Sequence, residues 1–397
     1  MITVLFDLDD TLINNNAEQF TRVYLGLLGK HLQEKVDAKI MIPALLEGTR
    51  QMVEKTSVSG TLEETFDNSF YTAIHIEKQQ VASKIEDFYE NIFPLLQPQT
   101  SPRPHAVEVV RDCLARGWQV AVATNPLFPI AAVYHRLNWA GLNASKIPFK
   151  AITSFDTYHF AKPQPAYFAE VAARIGAYDH PVVMIGNDLK DDIIPAGQAG
   201  LPVFWLTESS DPLPDGLPAG SRSGKMEEII PWLEVIEKNW IPGTPKTIPA
   251  ILAWLRGEAA AIDSLVRDLQ PETWDRKPAE NEWNITEIIC HLRDVDKDVN
   301  LPRIKTILRE EQPFIAGIET DRWANERDYL HQNGKTALRD FLLSRQELIQ
   351  SLENAGNKNW QKGFRHTIFG PSTLKELIEF TIAHDNNHIR QIMNLLI

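Results

Sequence analysis

The stretch Ile2-Thr3-Val4-Leu5-Phe6-Asp7-Leu8-Asp9-Asp10-Thr11 decides how the first half of the chain is read. Its apolar part shows no clean polar alternation, which predicts a strand over residues 2–8, buried on both faces of a parallel sheet. Two carboxylates one residue apart then fall at the strand end, where both reach one site. One can hold a divalent cation and act as nucleophile; the other can serve as acid and base. Taken alone, the same pattern also describes a solvated acidic turn.

Residues 119–124 (QVAVAT), 181–186 (PVVMIG) and 202–206 (PVFWL) repeat the first run's character, and helical patterns occupy 105–116, 130–137 and 165–175. That alternation predicts a doubly wound α/β sheet with functional groups at the C-terminal ends of its strands. The groups expected there are present. Thr124-Asn125 offers a hydroxyl and loop amides to a phosphate, and Lys162 before Pro163 offers an ammonium for phosphoryl oxygens. Gly186-Asn187-Asp188-Leu189-Lys190-Asp191-Asp192 adds three carboxylates. Four such features in this order, each at a strand end, argue against a chance turn. Residues 15–96 are helical in pattern and too long for a simple crossover, so a small helical domain is expected over the strand ends. Asn14, Asn15 and Asn16 read as a solvated loop.

Composition changes near residue 240. Six of the ten Trp fall after residue 239, and the acidic excess falls before it: 30 acidic against 20 basic residues up to 239, 23 against 20 beyond. Two prolines and a glycine within 239–246 suit a linker. Beyond it no strand stands out. Amphipathic stretches at about 246–269, 284–309, 334–355 and 371–396 predict a four-helix bundle, the last helix capped by Ser372 or Thr373. His384 and His388 lie one turn apart on one face of that last helix. His291 falls on the mostly apolar side of the second. Three imidazoles facing a bundle interior would leave coordination positions open for water or substrate. Asp385 stands where a zinc protease would carry glutamate, which excludes that reading. Cys290 points about 100° away from His291 and is expected to be a buried structural thiol.

On these motifs the first part resembles the haloacid dehalogenase (HAD) superfamily over residues 1–236. The resemblance implies a Rossmann-like core, 1–14 and 97–238, with an inserted all-α cap, 15–96. It implies Mg²⁺-dependent phosphoryl transfer through an aspartyl-phosphate. Asp7 would be nucleophile and Mg²⁺ ligand. Asp9 would be acid and base, with its backbone carbonyl on the metal. Thr124 and Lys162 would hold the phosphoryl group, with Thr11 and Asn125 near the substrate. Asp188 would ligate Mg²⁺, with Asp192 favoured over Asp191 as its companion. Because dehalogenases lack the second acid, Asp9 points to a phosphatase acting on a small phosphorylated metabolite, with a phosphomutase as the alternative. Residues 247–397 resemble the DinB/YfiT-like four-helix metal-binding proteins, through Trp283…Glu287…His291-Leu292, Trp323-Ala324-Asn325-Glu326-Arg327 and His384-x-x-x-His388. That resemblance implies Zn²⁺ or Ni²⁺ on His291, His384 and His388. The bundle would then be a thiol-dependent transferase or hydrolase, or a non-catalytic binding or dimerisation module, and pairing through an apolar face would make a homodimer.

Several classes are excluded. A formal charge of −13 disfavours a nucleic-acid partner. Two cysteines 177 residues apart make neither a disulfide framework nor a cysteine zinc site. No apolar run reaches membrane-spanning length and no basic leader opens the chain, so a cytoplasmic protein is expected.

Overall fold

The computed structural model describes residues 1–241, 243–279 and 282–396. Pro242, within the expected linker, and Ile397, at the end of the expected bundle, lie outside the described residues. The chain forms two compact units, built chiefly from the residues before and after position 242.

In the first unit, β1 (Thr3–Phe6) leads through β2 (Ile13–Asn15) into four helices: α1 (Ala17–Leu32), α2 (Ala38–Glu54), α3 (Leu62–Ile74) and α4 (Ala82–Asp87). The chain returns by β3 (Thr100–Pro102) to α5 (Ala106–Ala115), β4 (Gln119–Val122), α6 (Ile130–Trp139) and α7 (Pro165–Ile175). It continues with β5 (Val182–Gly186), α8 (Ile194–Gln198), β6 (Val203–Leu206), β7 (Arg222–Gly224) and α9 (Ile229–Asn239). The main sheet runs β4-β1-β5-β6-β7 and is parallel throughout. The central strand β1 is buried at every residue, as its unalternating sequence requires. Its neighbours β4 and β5 place the three site-bearing strand ends side by side.

The fold departs from the sequence reading in two places here. A fifth strand, β7, joins the sheet edge; its sequence, Arg-Ser-Gly, carries no strand signal. Asn14 and Asn15 are not a plain solvated loop. They belong to β2, which pairs antiparallel with β3 where the chain leaves for the cap and returns, and Asn16 caps α1 by accepting from the Gln19 N–H.

The second unit contains α10 (Ile248–Val266), α11 (Pro271–Asp275) and α12 (Ile285–Val295). The last runs through a π-helical turn, Asp296–Asn300, into α13 (Leu301–Arg309). Then follow β8 (Phe314–Ile315), α14 (Trp323–Glu326), α15 (Gly334–Ala355), β9 (Gly363–His366), β10 (Gly370–Thr373) and α16 (Leu374–Leu395). Four long helical runs form the bundle. The expectation of a strand-free second part is overturned by a small sheet, β10-β9-β8. Gly370, at φ +72°, makes the turn before β10 possible, and the Phe364 and His366 side chains are buried while Gly363 and Arg365 are exposed. Four residues are too few for that alternation to stand out in the sequence. Thr373, not Ser372, caps α16, in a reciprocal capping box with Glu376.

Among the described residues, no helix is long and apolar enough to cross a membrane.

Candidate active site and metal centre

At the C-terminal end of β1 the Lys162 ammonium lies 2.6 Å from Asp7 Oδ1 and 2.6 Å from Asp192 Oδ1, all three groups buried. Burial works against the ammonium, but Asp192 and Asp7 outweigh it and hold its pKa above the ordinary value. Two carboxylates against one ammonium leave an excess negative charge in a dry pocket. Burial and then the Asp7 charge accordingly push Asp192 above the usual carboxylate range. That surplus, presented by oxygen ligands alone, fits a hard divalent cation.

The loop carrying Lys162 is held from behind. Glu170 on α7 accepts the backbone N–H groups of His159, 3.1 Å, and Phe160, 3.2 Å. The Thr124 carbonyl is gripped by the Thr153 hydroxyl at 2.8 Å and the Tyr167 hydroxyl at 2.6 Å, so the turn after β4 is fixed beside β1. Asn125 lies in the same turn, and its Oδ1 is buried without a partner. Gly186 explains how Asp192 enters: a Cβ there would lie 2.3 Å from Asp192 Oδ2. Glycine at the end of β5 is therefore what lets Asp192, two per cent exposed, reach Lys162, while Asp191 stays half-buried beside it.

Other expected residues point elsewhere. Asp188 is exposed, and its Oδ1 accepts from the Lys190 and Asp191 N–H groups at 2.7 and 2.8 Å. The Thr11 hydroxyl donates to Asn187 Oδ1 at 3.1 Å and so ties the first acidic loop to the last. Asp9 accepts from Asn15 Nδ2 at 3.0 Å and forms an ion pair with Arg136. Among the described residues, the side-chain oxygens of Asp7, Asp9, Asp188 and Asp192 do not converge on one point.

Arg136 was missed in the sequence. It lies on α6, three per cent exposed, between the rings of Phe20 and Phe128 at 5.8 Å each, and burial lowers its pKa to about 10. A lone arginine in a helical pattern carries no mark of burial. The one usable signal was its place on the apolar side of residues 130–139.

In the second unit, ligand atoms of His291, His384 and His388 all lie within 4.8 Å of one another. His384 Nε2 is 3.1 Å from His291 Nε2 and 3.2 Å from His388 Nε2. Burial, helped by the neighbouring imidazoles, lowers His291 to about 3 and His388 to about 4. The rings are therefore neutral at pH 7, as metal ligation demands. His388 Nδ1 pairs with Gln391 Oε1 at 2.7 Å, which puts the proton on Nδ1 and leaves Nε2 free to coordinate. Asp385, beside His384, pairs with Arg345 at 2.6 Å, and Arg345 pairs with Asp296 at 2.6 Å; all three are buried in the bundle centre. The donor set and its tautomer suit a borderline divalent metal. A cavity of about 670 Å³, lined in part by Trp283, Asp321, Gln391 and Asn394, opens beside His388. Cys290 is buried against Gln332 and outside the group of three.

Residues 1–200 match the family model for haloacid dehalogenase-like hydrolases. The chain belongs to that family. Residues 255–392 match the model of the DinB superfamily. A phosphoglycolate phosphatase of Caulobacter vibrioides is 25% identical over 50% of this hydrolase and 76% of its own length. A glyceraldehyde 3-phosphate phosphatase of Methanothermobacter thermautotrophicus is 25% identical over 50% and 82%. The chain is also similar to an uncharacterised Bacillus subtilis protein, YuaE, 22% identical over 33% of this chain and 87% of that one.

Proposed function

We propose that the first unit hydrolyses a small phosphate monoester through a phosphorylated Asp7. The observation that carries this reading is Lys162 bridging Asp7 and Asp192, groups brought to one point from 155 and 30 residues away. Asp7 attacks phosphorus in line, and the bond to the leaving oxygen breaks as that oxygen takes a proton from Asp9. Asp9 then takes a proton from water, which attacks the aspartyl-phosphate, releases phosphate and restores Asp7. Lys162, Thr124 and the amides of the Asn125 turn meet the charge spread over the phosphoryl oxygens. Mg²⁺, held by Asp7, Asp188, Asp192 and the Asp9 carbonyl, would add neutralisation of that charge. Asp188 must turn from its present cap to take part.

The relatives that match this half carry the names of phosphatases with different small substrates, which supports the reaction class more than any one substrate. Hydrolysis of a panel of phosphorylated metabolites by the full chain, against Asp7→Asn, tests the reading. Turnover retained by the variant would overturn it.

For the second unit the proposal is a divalent transition-metal centre, Zn²⁺ or Ni²⁺, on His291, His384 and His388. It rests on three imidazoles converging on one point, two of which, His291 and His388, burial holds neutral. Metal analysis of the full chain and of His388→Ala decides it, and equal metal content would defeat it.

A further inference from the structure

The first unit holds a cavity of about 970 Å³. It lies between the cap helices α1 to α4 and the segment around α6. None of Asp7, Asp9, Thr124, Lys162, Asp188 and Asp192 lines it. Its walls are mainly apolar, with Leu28 and Tyr24 from α1, Leu45 from α2, Phe66 and Phe70 from α3, and Phe128 before α6. A chamber of that size and character is large enough to bury a drug-sized apolar molecule.

The charge around it decides what that molecule is. The lining carries the carboxylates of Glu63, Asp67, Glu86, Glu90 and Asp156 against the single ammonium of Lys78. Lys78 is already spent, 2.7 Å from both Glu63 and Asp67. Asp156 accepts the Ile130 N–H at 2.8 Å, and Glu86 and Glu90 are exposed. A phosphate ester or fatty carboxylate entering here meets like charge; an ammonium group meets opposite charge.

We infer that the cap chamber is a second ligand site, distinct from the catalytic one, for a lipophilic amine: an apolar body in the chamber and a cationic head at Glu86 and Glu90. The inference does not depend on the hydrolytic reading.

The test uses the full chain and the neutral fluorophore N-phenyl-1-naphthylamine, displaced by dodecylamine or by dodecanoate below their micelle concentrations. Saturable probe binding is expected, with dodecylamine displacing it about tenfold more effectively than dodecanoate, a gap that narrows in high salt. Glu86→Gln with Glu90→Gln should erase much of that preference while the probe still binds, since both residues are exposed and their loss leaves the fold intact. Leu45→Trp should fill the chamber and abolish probe binding at an unchanged circular dichroism spectrum. Absence of saturable binding by the wild type would overturn the inference. So would equal displacement by dodecanoate, or displacement by hexyl phosphate, which would make the chamber the leaving-group pocket of the phosphoryl site.

Discussion

The two sites solve the burial of polar groups in opposite ways. In the first, charge is met by charge: Lys162 lies between Asp7 and Asp192, and Arg136 holds Asp9. In the second, charge is avoided among the imidazoles: His291 and His388 are kept neutral, and the Nε2 atom of each faces that of His384. A site that neutralises itself can persist without a ligand. A site of converging lone pairs needs a proton or a metal among them. The first is thus expected to lose activity before structure when its cation is removed, and the second to lose structure with its metal.

The largest effect that would break this comparison belongs to Asp7→Asn. It should lower phosphatase turnover roughly 10⁴-fold or more, because the proposed nucleophile is removed; steady-state assays with p-nitrophenyl phosphate would read it. Next comes Lys162→Met, which leaves two buried carboxylates facing each other. A loss of about 3–5 kcal/mol in urea unfolding is expected, together with a turnover loss of roughly 10²–10³. An unchanged midpoint would mean that Lys162 does not neutralise the pair.

His388→Ala should reduce bound metal from about one per chain to near zero, with phosphatase turnover by the first unit unaltered. Chelation of the wild type followed by return of Mg²⁺ alone should mimic it. The smallest effect sharpens the contrast unit by unit. Burial pushes the Cys113 thiol up to about 12 and the Cys290 thiol up to about 11. Both are therefore protonated at pH 8 in the folded chain and slow toward thiol reagents, and they become reactive when their unit opens, because an unfolded thiol titrates near 8.5. Chelation should speed labelling of Cys290 well before Cys113. The reverse order would show that the histidine cluster does not depend on its metal.

Much of the chemistry was legible because it sits at strand ends or at one-turn spacing, where sequence separation translates directly into direction. Asp7 follows a short, continuous apolar run that opens on β-branched residues and has the length of a buried strand, and His384 and His388 cannot face apart on a helix. Arg136 and Asn15 were illegible for the converse reason. Each touches Asp9 through tertiary packing, and an arginine in a helix or an asparagine in a loop has the same local signature buried or exposed. Gly186 was read as a strand end, although its missing side chain is what admits Asp192. The β9–β10 hairpin escaped because its buried residues are few and lie between two long helical patterns.

The ribbon of β2 and β3 has a mechanical consequence. It is the doubled stalk on which the cap stands, for the chain both leaves and re-enters along it. Arg103, just after β3, donates to the Asp10 carbonyl at 2.8 Å, and Asn15, at the end of β2, donates to the Asp9 carboxylate. Any swing of the cap about this stalk must drag on Asp9 and Asp10, two and three residues beyond Asp7. Movement of the cap and the aim of Asp9, the proposed acid, would thereby be geared to a single hinge.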